Sequence, residues 1–222
     1  MLQEHIKHRI MNATVRLPKG GCGVLIPGNF ILTAAHCVRF TIEGDMALGG
    51  FYIEDITTEQ GTLQVTPFAI EPVSDVAVLG ALDGQTFYKE CNQFEGFCEN
   101  TLPVPLCLRD FEMSKPFTVC VYTHEKRWVQ GEAAQWSPEA TILWVEYEEQ
   151  IKGGTSGSPV INEEGEIVGV VSFTNEGAAN CNGAAARPNV ALPYWVVRRI
   201  VSQKEQTDTV AARLIKARNT AT

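Results

Sequence analysis

The segment "IKGGTSGSPVIN" (residues 151–162) places three glycines around Ser156 and continues into an apolar run. A plain loop does not need so many small residues. A turn that exposes one hydroxyl and aims several backbone N–H groups in the same direction does need them. We therefore take Ser156 as a candidate nucleophile. A serine hydroxyl is weak at neutral pH, so the chain must also supply a base and a group that orients this base.

The rest of the chain is typical of an all-β protein. Short β-branched and aromatic runs end in Gly, Pro, Asn or Asp, and the residues at 162–165 form a hairpin turn signal between two such runs. Many short strands without helical segments between them predict an antiparallel sandwich or barrel. The runs that carry this prediction are "CGVLI", "FILTAA", "DVAVLGAL", "FTVCVYT", "ATILWVEY" and "EIVGVVSFT".

Some segments depart from the strand pattern. Apolar residues near helical spacing predict helices at 193–204 and at 208–218. Residues 86–106 are predicted to form a long loop between the two halves of the chain. The first residues are charged throughout, and we expect a mobile segment there.

The candidate base is His36, one of four histidines. It follows the apolar run "FILTAA", so packed neighbours should hold it in place, as a general base requires. His5 and His8 lie in the charged N-terminal segment, and His124 lies in the polar turn "YTHEKRW". A histidine on an apolar strand is more often only a core residue, so this position alone is weak evidence.

The candidate orienting group is Asp75, which begins the apolar run "DVAVLGAL". A carboxylate beside such a run loses water and needs a donor, and an imidazole N–H is such a donor. An aspartate before a strand is commonly just a turn residue. The order His36, Asp75, Ser156 along an all-β chain is more specific than any of the three residues alone.

The segments around these residues resemble the motifs of the chymotrypsin-like (trypsin-fold) serine peptidases. "LTAAHC" (32–37) is similar to that family's histidine motif, "SDVAVL" (74–79) to its aspartate motif and "GGTSGSPV" (153–160) to its serine motif. "GEIVGVVSF" (165–173) resembles the hairpin that lines the substrate cleft. The resemblance covers about residues 12–204. It implies two antiparallel six-stranded β-barrels of the chymotrypsin type with a C-terminal helix.

The resemblance implies a serine endopeptidase that acts through an acyl-enzyme, without a cofactor or a metal. His36, Asp75 and Ser156 take the places of the catalytic residues. The N–H groups of Gly154 and Ser156 take the place of the oxyanion hole.

The same alignment predicts the residues that contact the substrate, which are Gln150, Ile151, Ser172, Phe173 and Thr174. Gln150 stands where enzymes that select Arg or Lys carry an aspartate. A neutral amide does not compensate a buried guanidinium as a carboxylate does. We therefore expect a preference for small or medium apolar residues on the acyl side of the scissile bond.

The chain is more similar to the bacterial Deg-type (HtrA-like) branch than to the digestive enzymes. "NVALPYWVVRRI" (189–200) resembles a segment of that branch, and Thr155 replaces the aspartate that pairs with a freshly cut N-terminus in digestive enzymes. Deg-type enzymes usually carry PDZ domains, for which we find no room. We expect a peptidase domain at 1–204, with its two barrels meeting near 86–106, and a helical tail at 205–222.

The seven cysteines are an odd number, so at least one has no partner within the chain. The resemblance places Cys22 and Cys37 next to each other, and we expect no wider disulfide framework. Cys91, Cys98 and Cys107 lack a nearby histidine, which favours free thiols over a metal site.

Composition narrows the classes of partner. A net charge of -8 without a Lys/Arg cluster argues against nucleic acid, and no apolar run is long enough to span a membrane. Without a visible signal peptide we expect a cytoplasmic protein that acts on protein or peptide substrates. Two alternatives stay open: a catalytically idle module of this fold that binds peptides, and a protease effector of a larger bacterial system that a regulatory protein gates through the tail.

Overall fold

The short apolar runs form two closed antiparallel barrels of six strands each. The computed structural model describes residues 2–38, 52–174 and 182–203. The predicted tail at 205–222, with its helix at 208–218, lies outside these residues. The fold class inferred from the sequence, two chymotrypsin-type barrels and a C-terminal helix, is confirmed.

The first barrel closes in the strand order β1-β2-β3-β6-β5-β4. Strands β2, β3 and β6 are buried at every position, which explains their continuous apolar sequences. Arg16 pairs with Thr57 to close the barrel. The strands are β1 (Thr14–Arg16), β2 (Cys22–Ile26), β3 (Phe30–Thr33), β4 (Glu54–Thr58), β5 (Gly61–Glu71) and β6 (Val76–Gly80).

The second barrel closes in the order β10-β11-β12-β9-β8-β7. Its strands β8 and β9 alternate buried and exposed residues, so their outer face meets solvent. The predicted turn at 162–165 joins β10 to β11, with Gly165 N donating to Asn162 O at 3.1 Å. The strands are β7 (Phe117–Tyr122), β8 (Trp128–Ala134), β9 (Ile142–Tyr147), β10 (Pro159–Asn162), β11 (Ile167–Thr174) and β12 (Asn182–Ala186).

Helices lie before, between and after the barrels. A 3₁₀ turn at Ala35–Cys37 carries His36. The α-helices are α1 (Glu4–Ala13), α2 (Tyr88–Asn100), α3 (Pro188–Ala191) and α4 (194–203), the last of which agrees with the helix predicted at 193–204. Within the described residues, no helix has the length and apolar character needed to cross a membrane.

Two expectations about helices were wrong. The region 86–106 contains α2, because Phe94, Phe97 and Cys98 repeat at helical spacing and are buried. The N-terminal segment is helix α1, whose Ile10 is completely buried and anchors the charged residues around it.

Replacing Phe94 with alanine tests how far α2 contributes to the core. Phe94 is completely buried in the main cluster, so Phe94→Ala should lower the free energy of unfolding by about 3–5 kcal/mol. The neighbouring Glu95 is exposed, and Glu95→Ala should change the free energy of unfolding by less than about 0.5 kcal/mol. Urea unfolding of both variants measures this. Equal stabilities would show that α2 contributes nothing to the core.

Candidate catalytic site

His36 and Asp75 form a bidentate contact at the edge of the first barrel. His36 Nδ1 lies 2.8 Å from Oδ2 and 3.0 Å from Oδ1 of Asp75, and the backbone N–H of His36 donates to Oδ1 at 2.9 Å. Asp75 adopts a left-handed conformation (φ 57°) immediately before β6, which turns its carboxylate toward the 3₁₀ turn. A carboxylate only accepts hydrogen bonds here, so Nδ1 of His36 carries a proton, and Nε2 can act as a base when the imidazole is neutral.

The second barrel also donates to this carboxylate. Ser172 Oγ on β11 donates to Asp75 Oδ2 at 2.5 Å. Burial alone would raise the pKa of Asp75, but the hydrogen bonds from His36 and Ser172 outweigh it and lower the pKa below its ordinary value. Two hydrogen bonds hold the pKa of His36 well above 6.5. The bond to Asp75 has the larger effect, and a bond to Cys37 has the next largest. The site therefore contains an ionised carboxylate and a strongly basic imidazole.

Backbone hydrogen bonds join the turn that carries Ser156 to both barrels. Cys22 N on β2 donates to Ser156 O at 2.7 Å, and Gly157 N donates to Val171 O on β11 at 2.7 Å. Gly157 has φ +79°, and a Cβ there would lie 2.1 Å from Cys22 O and 2.4 Å from Thr33 Oγ1. Only glycine allows the turn to approach β2 and β3 so closely.

The N–H groups of Gly154 and Ser156 have no acceptor among the described residues. Gly154 adopts φ +89°, a backbone conformation that side chains rarely adopt. Because the two N–H groups belong to one tight turn, they can serve as a paired donor site for an anionic oxygen. Ser156 itself is partly exposed.

The structure brings the three predicted segments together at the junction of the barrels, although one contact is not made. Among the described residues, no hydrogen bond joins His36 to Ser156. The Ser156 carbonyl and Cys37 Sγ both lie against Gly21, which places the turn beside the segment of His36. Hydrogen bonds of this kind are often long or open in a site without substrate.

Three residues to which the sequence assigned no role at the Ser156 turn support it. Arg16 Nη1 and Nη2 donate to His124 Nδ1 and to His124 O, each at 2.7 Å. His124 N donates to Thr155 Oγ1 at 3.3 Å, and its ring lies beside Gly154. Cys22 Sγ lies 2.8 Å from Arg16 Nη1 and 3.5 Å from Gly154 O. His124, interpreted from sequence only as part of a polar turn, is thus next to the candidate oxyanion site.

The five predicted substrate-contacting residues occupy different environments. Gln150 is exposed, whereas Ile151 is 2% exposed and belongs to the core of the second barrel. Ser172 donates a hydrogen bond to Asp75, and the side chain of Phe173 is 57% exposed. Thr174 ends β11, and its side chain lies outside the described part of the structure.

The six described cysteines are free thiols, Cys22 and Cys37 among them; Cys181 lies outside the described residues. Burial raises the pKa of Cys22 and Cys98, which keeps both thiols protonated. Within the described ranges, no group of three His, Cys, Asp or Glu side chains could hold a metal ion.

The family model for the trypsin-like peptidase domain matches residues 21–170, which is more than half of the chain. The protein therefore belongs to the trypsin-like peptidase family, as its three motifs suggested. A comparison with curated proteins finds no similar sequence.

Solved structures of two proteases have a similar fold. The serine endoprotease from Yersinia pestis has a TM-score of 0.59 and 16% identity over 90% of this chain. The active form of the Rv3671c protease from M. tuberculosis has a TM-score of 0.57 and 14% identity over 89% of this chain. Its inactive form has a TM-score of 0.54 and 14% identity over 90% of this chain. The chain spans 66% of the Yersinia protein and 83% and 92% of the two Rv3671c chains. At these identities the matches show the fold alone.

The contact with Asp75 predicts a raised pKa for His36. NMR titration of the imidazole should give a pKa above 6.5 in the wild type, because the carboxylate stabilises the imidazolium. Asp75→Asn removes that charge and should lower the pKa of His36. Asp83 is exposed and bonded only within its own turn, so Asp83→Asn should leave the value unchanged. A pKa of His36 that is the same in the wild type and in Asp75→Asn would contradict the assigned contact.

Proposed function

We propose that the protein is a serine endopeptidase that hydrolyses peptide bonds through a covalent acyl-enzyme on Ser156. The observation that carries this proposal is the position of the His36–Asp75 pair beside a turn that presents Ser156 and two N–H groups without an acceptor among residues 2–38, 52–174 and 182–203. The trypsin-like peptidase family to which the chain belongs supports the same reaction class.

In the first half of the reaction, Ser156 Oγ attacks the scissile carbonyl while Nε2 of His36 takes its proton. Asp75 keeps the proton on Nδ1 of His36 and stabilises the imidazolium that forms. The hydrogen bond from Ser172 keeps the carboxylate ionised and fixed in place. His36 then gives the proton to the leaving amine, and the acyl group remains on Ser156.

The negative charge of the tetrahedral intermediate develops on the former carbonyl oxygen. The N–H groups of Gly154 and Ser156 are the donors for this oxygen, because neither has another acceptor in the described residues. A single such donor contributes a factor of about 10²–10³ to the rate in related chemistry. In the second half of the reaction, water attacks the acyl carbon while His36 takes its proton. The bond to Ser156 Oγ then breaks, His36 returns the proton to Oγ, and the acid product leaves.

The substrate side chain on the acyl side is proposed to be small or medium and apolar. Exposed Gln150 has an amide and Ser172 has a hydroxyl that donates to Asp75, so neither supplies a carboxylate for a basic side chain. Phe173 is exposed on β11 and offers an apolar contact beside the site. One methylene in such a contact changes binding by about 1–3 kcal/mol, so the preference should be graded.

Hydrolysis of a peptide library by the wild type and by single variants tests the proposal. Ser156→Ala and His36→Ala should lower kcat by a factor on the order of 10⁴–10⁶, because either change removes the nucleophile or its base. Ser137→Ala and His5→Ala change the same residue types away from the site and should keep wild-type rates.

Near-normal hydrolysis by Ser156→Ala would refute the mechanism. A folded wild type that cleaves no library peptide would instead favour the idle peptide-binding module. A strong preference for Arg or Lys on the acyl side would overturn only the specificity, and it would point to Glu148 or Glu149 as the charged residue of the pocket.

A further inference from the structure

The outer face of the second barrel carries a cleft that the proposed function does not use. The cleft has a volume of about 340 Å³. We call it the tryptophan cleft, since two tryptophans border it. Its lining includes Glu132, Ala134, Trp136, Trp144, Glu146 and Asn182.

Two large aromatic side chains are left open to solvent at this cleft. Trp136 is 65% exposed and Trp144 is 54% exposed. Trp144 lies on β9 directly opposite Ala134 on β8, and the small alanine leaves the indole uncovered. Exposed aromatic surface that borders a cleft is typical of a binding site rather than of a solvated strand.

Two carboxylates stand next to these indoles, and neither forms an ion pair with a cation of the described ranges. Glu132 on β8 and Glu146 on β9 are directly opposite each other, and both are exposed. Like charges in this arrangement destabilise a sheet. No ion pair of the described residues includes either carboxylate, whereas Glu125, Glu149 and Glu164 each pair with a basic side chain.

From these contacts we infer that the tryptophan cleft binds an arginine side chain of a polypeptide partner. A planar guanidinium stacks on an indole, and its forked donors can reach two carboxylates at once. Asn182 on β12, which pairs with Glu146 on β9, adds a side-chain amide for the partner's backbone next to the arginine. A polypeptide is the fitting source of the arginine because the chain belongs to a peptidase family.

The four tryptophans provide a direct readout. The ¹⁵N-labelled full chain is titrated with Nα-acetyl-arginine methylamide while the indole N–H signals of Trp128, Trp136, Trp144 and Trp195 are followed, each assigned by its Trp→Phe variant. The signals of Trp136 and Trp144 should shift saturably, with a dissociation constant on the order of 1–10 mM for a single residue. Those of Trp128 and Trp195 should not move. The matched probe is acetyl-citrulline methylamide, which has the same shape without the charge.

The double variant Glu132→Gln/Glu146→Gln separates charge from shape. It should weaken binding of the arginine probe about tenfold or more and leave peptide hydrolysis unchanged, since neither residue belongs to the proposed catalytic site. Removing the facing charges should also raise Tm by roughly 1–3 °C. The cleft assignment is overturned if citrulline binds as well as arginine, if all four indoles shift alike, or if the double variant binds normally.

A second probe tests whether the partner is a polypeptide. A short glycine- and serine-flanked peptide with one arginine should bind more tightly than the blocked amino acid, because its backbone reaches Asn182. Its integrity is checked by mass spectrometry after each titration. Equal affinities would show that only the side chain is recognised and would refute the polypeptide partner. None of these measurements depends on Ser156 being the nucleophile, so they can fail or succeed independently of the proposed function.

Discussion

The carboxylate of Asp75 accepts hydrogen bonds from both barrels and so links them at the candidate catalytic site. It accepts from the backbone and the ring of His36 in the first barrel and from Ser172 in the second. A half-buried carboxylate is costly without donors, so the barrels must dock where all three donors can reach it. This one requirement fixes the tautomer of His36, lowers the pKa of Asp75 and places β11 beside the site.

The close approach of the Ser156 turn to the first barrel imposes the second constraint. Hydrogen bonds tie the turn to Cys22 on one side and to Val171 on the other, and Gly157 leaves no room for a side chain between them. The positive φ angles of this turn fall on Gly154 and Gly157, which adopt them without strain. The same turn leaves two N–H groups without an acceptor in the part of the chain that the structure describes, so a structural constraint produces a candidate oxyanion site.

The strands and the three motifs could be predicted because their signals are local. Alternating or continuous apolar runs, turn residues and the order of His36, Asp75 and Ser156 are all visible in the sequence. Helix α2 was missed although Phe94 and Phe97 carry its spacing, because polar residues and Gly96 interrupt the pattern. The contact between Arg16 and His124 spans 108 positions, and no local pattern indicates such a contact. The tryptophan cleft likewise depends on strand register, which the sequence leaves open.

The most direct test of the central claim is covalent labelling of the folded protein with a fluorophosphonate, read by intact mass and peptide mapping. A nucleophile activated by His36 and held beside two oxyanion donors should give one adduct per chain, located on Ser156. His36→Ala, with its fold verified by circular dichroism, should give no adduct in the same time. An adduct on another residue, or equal labelling of Ser156 in the wild type and in His36→Ala, would contradict the assigned catalytic site.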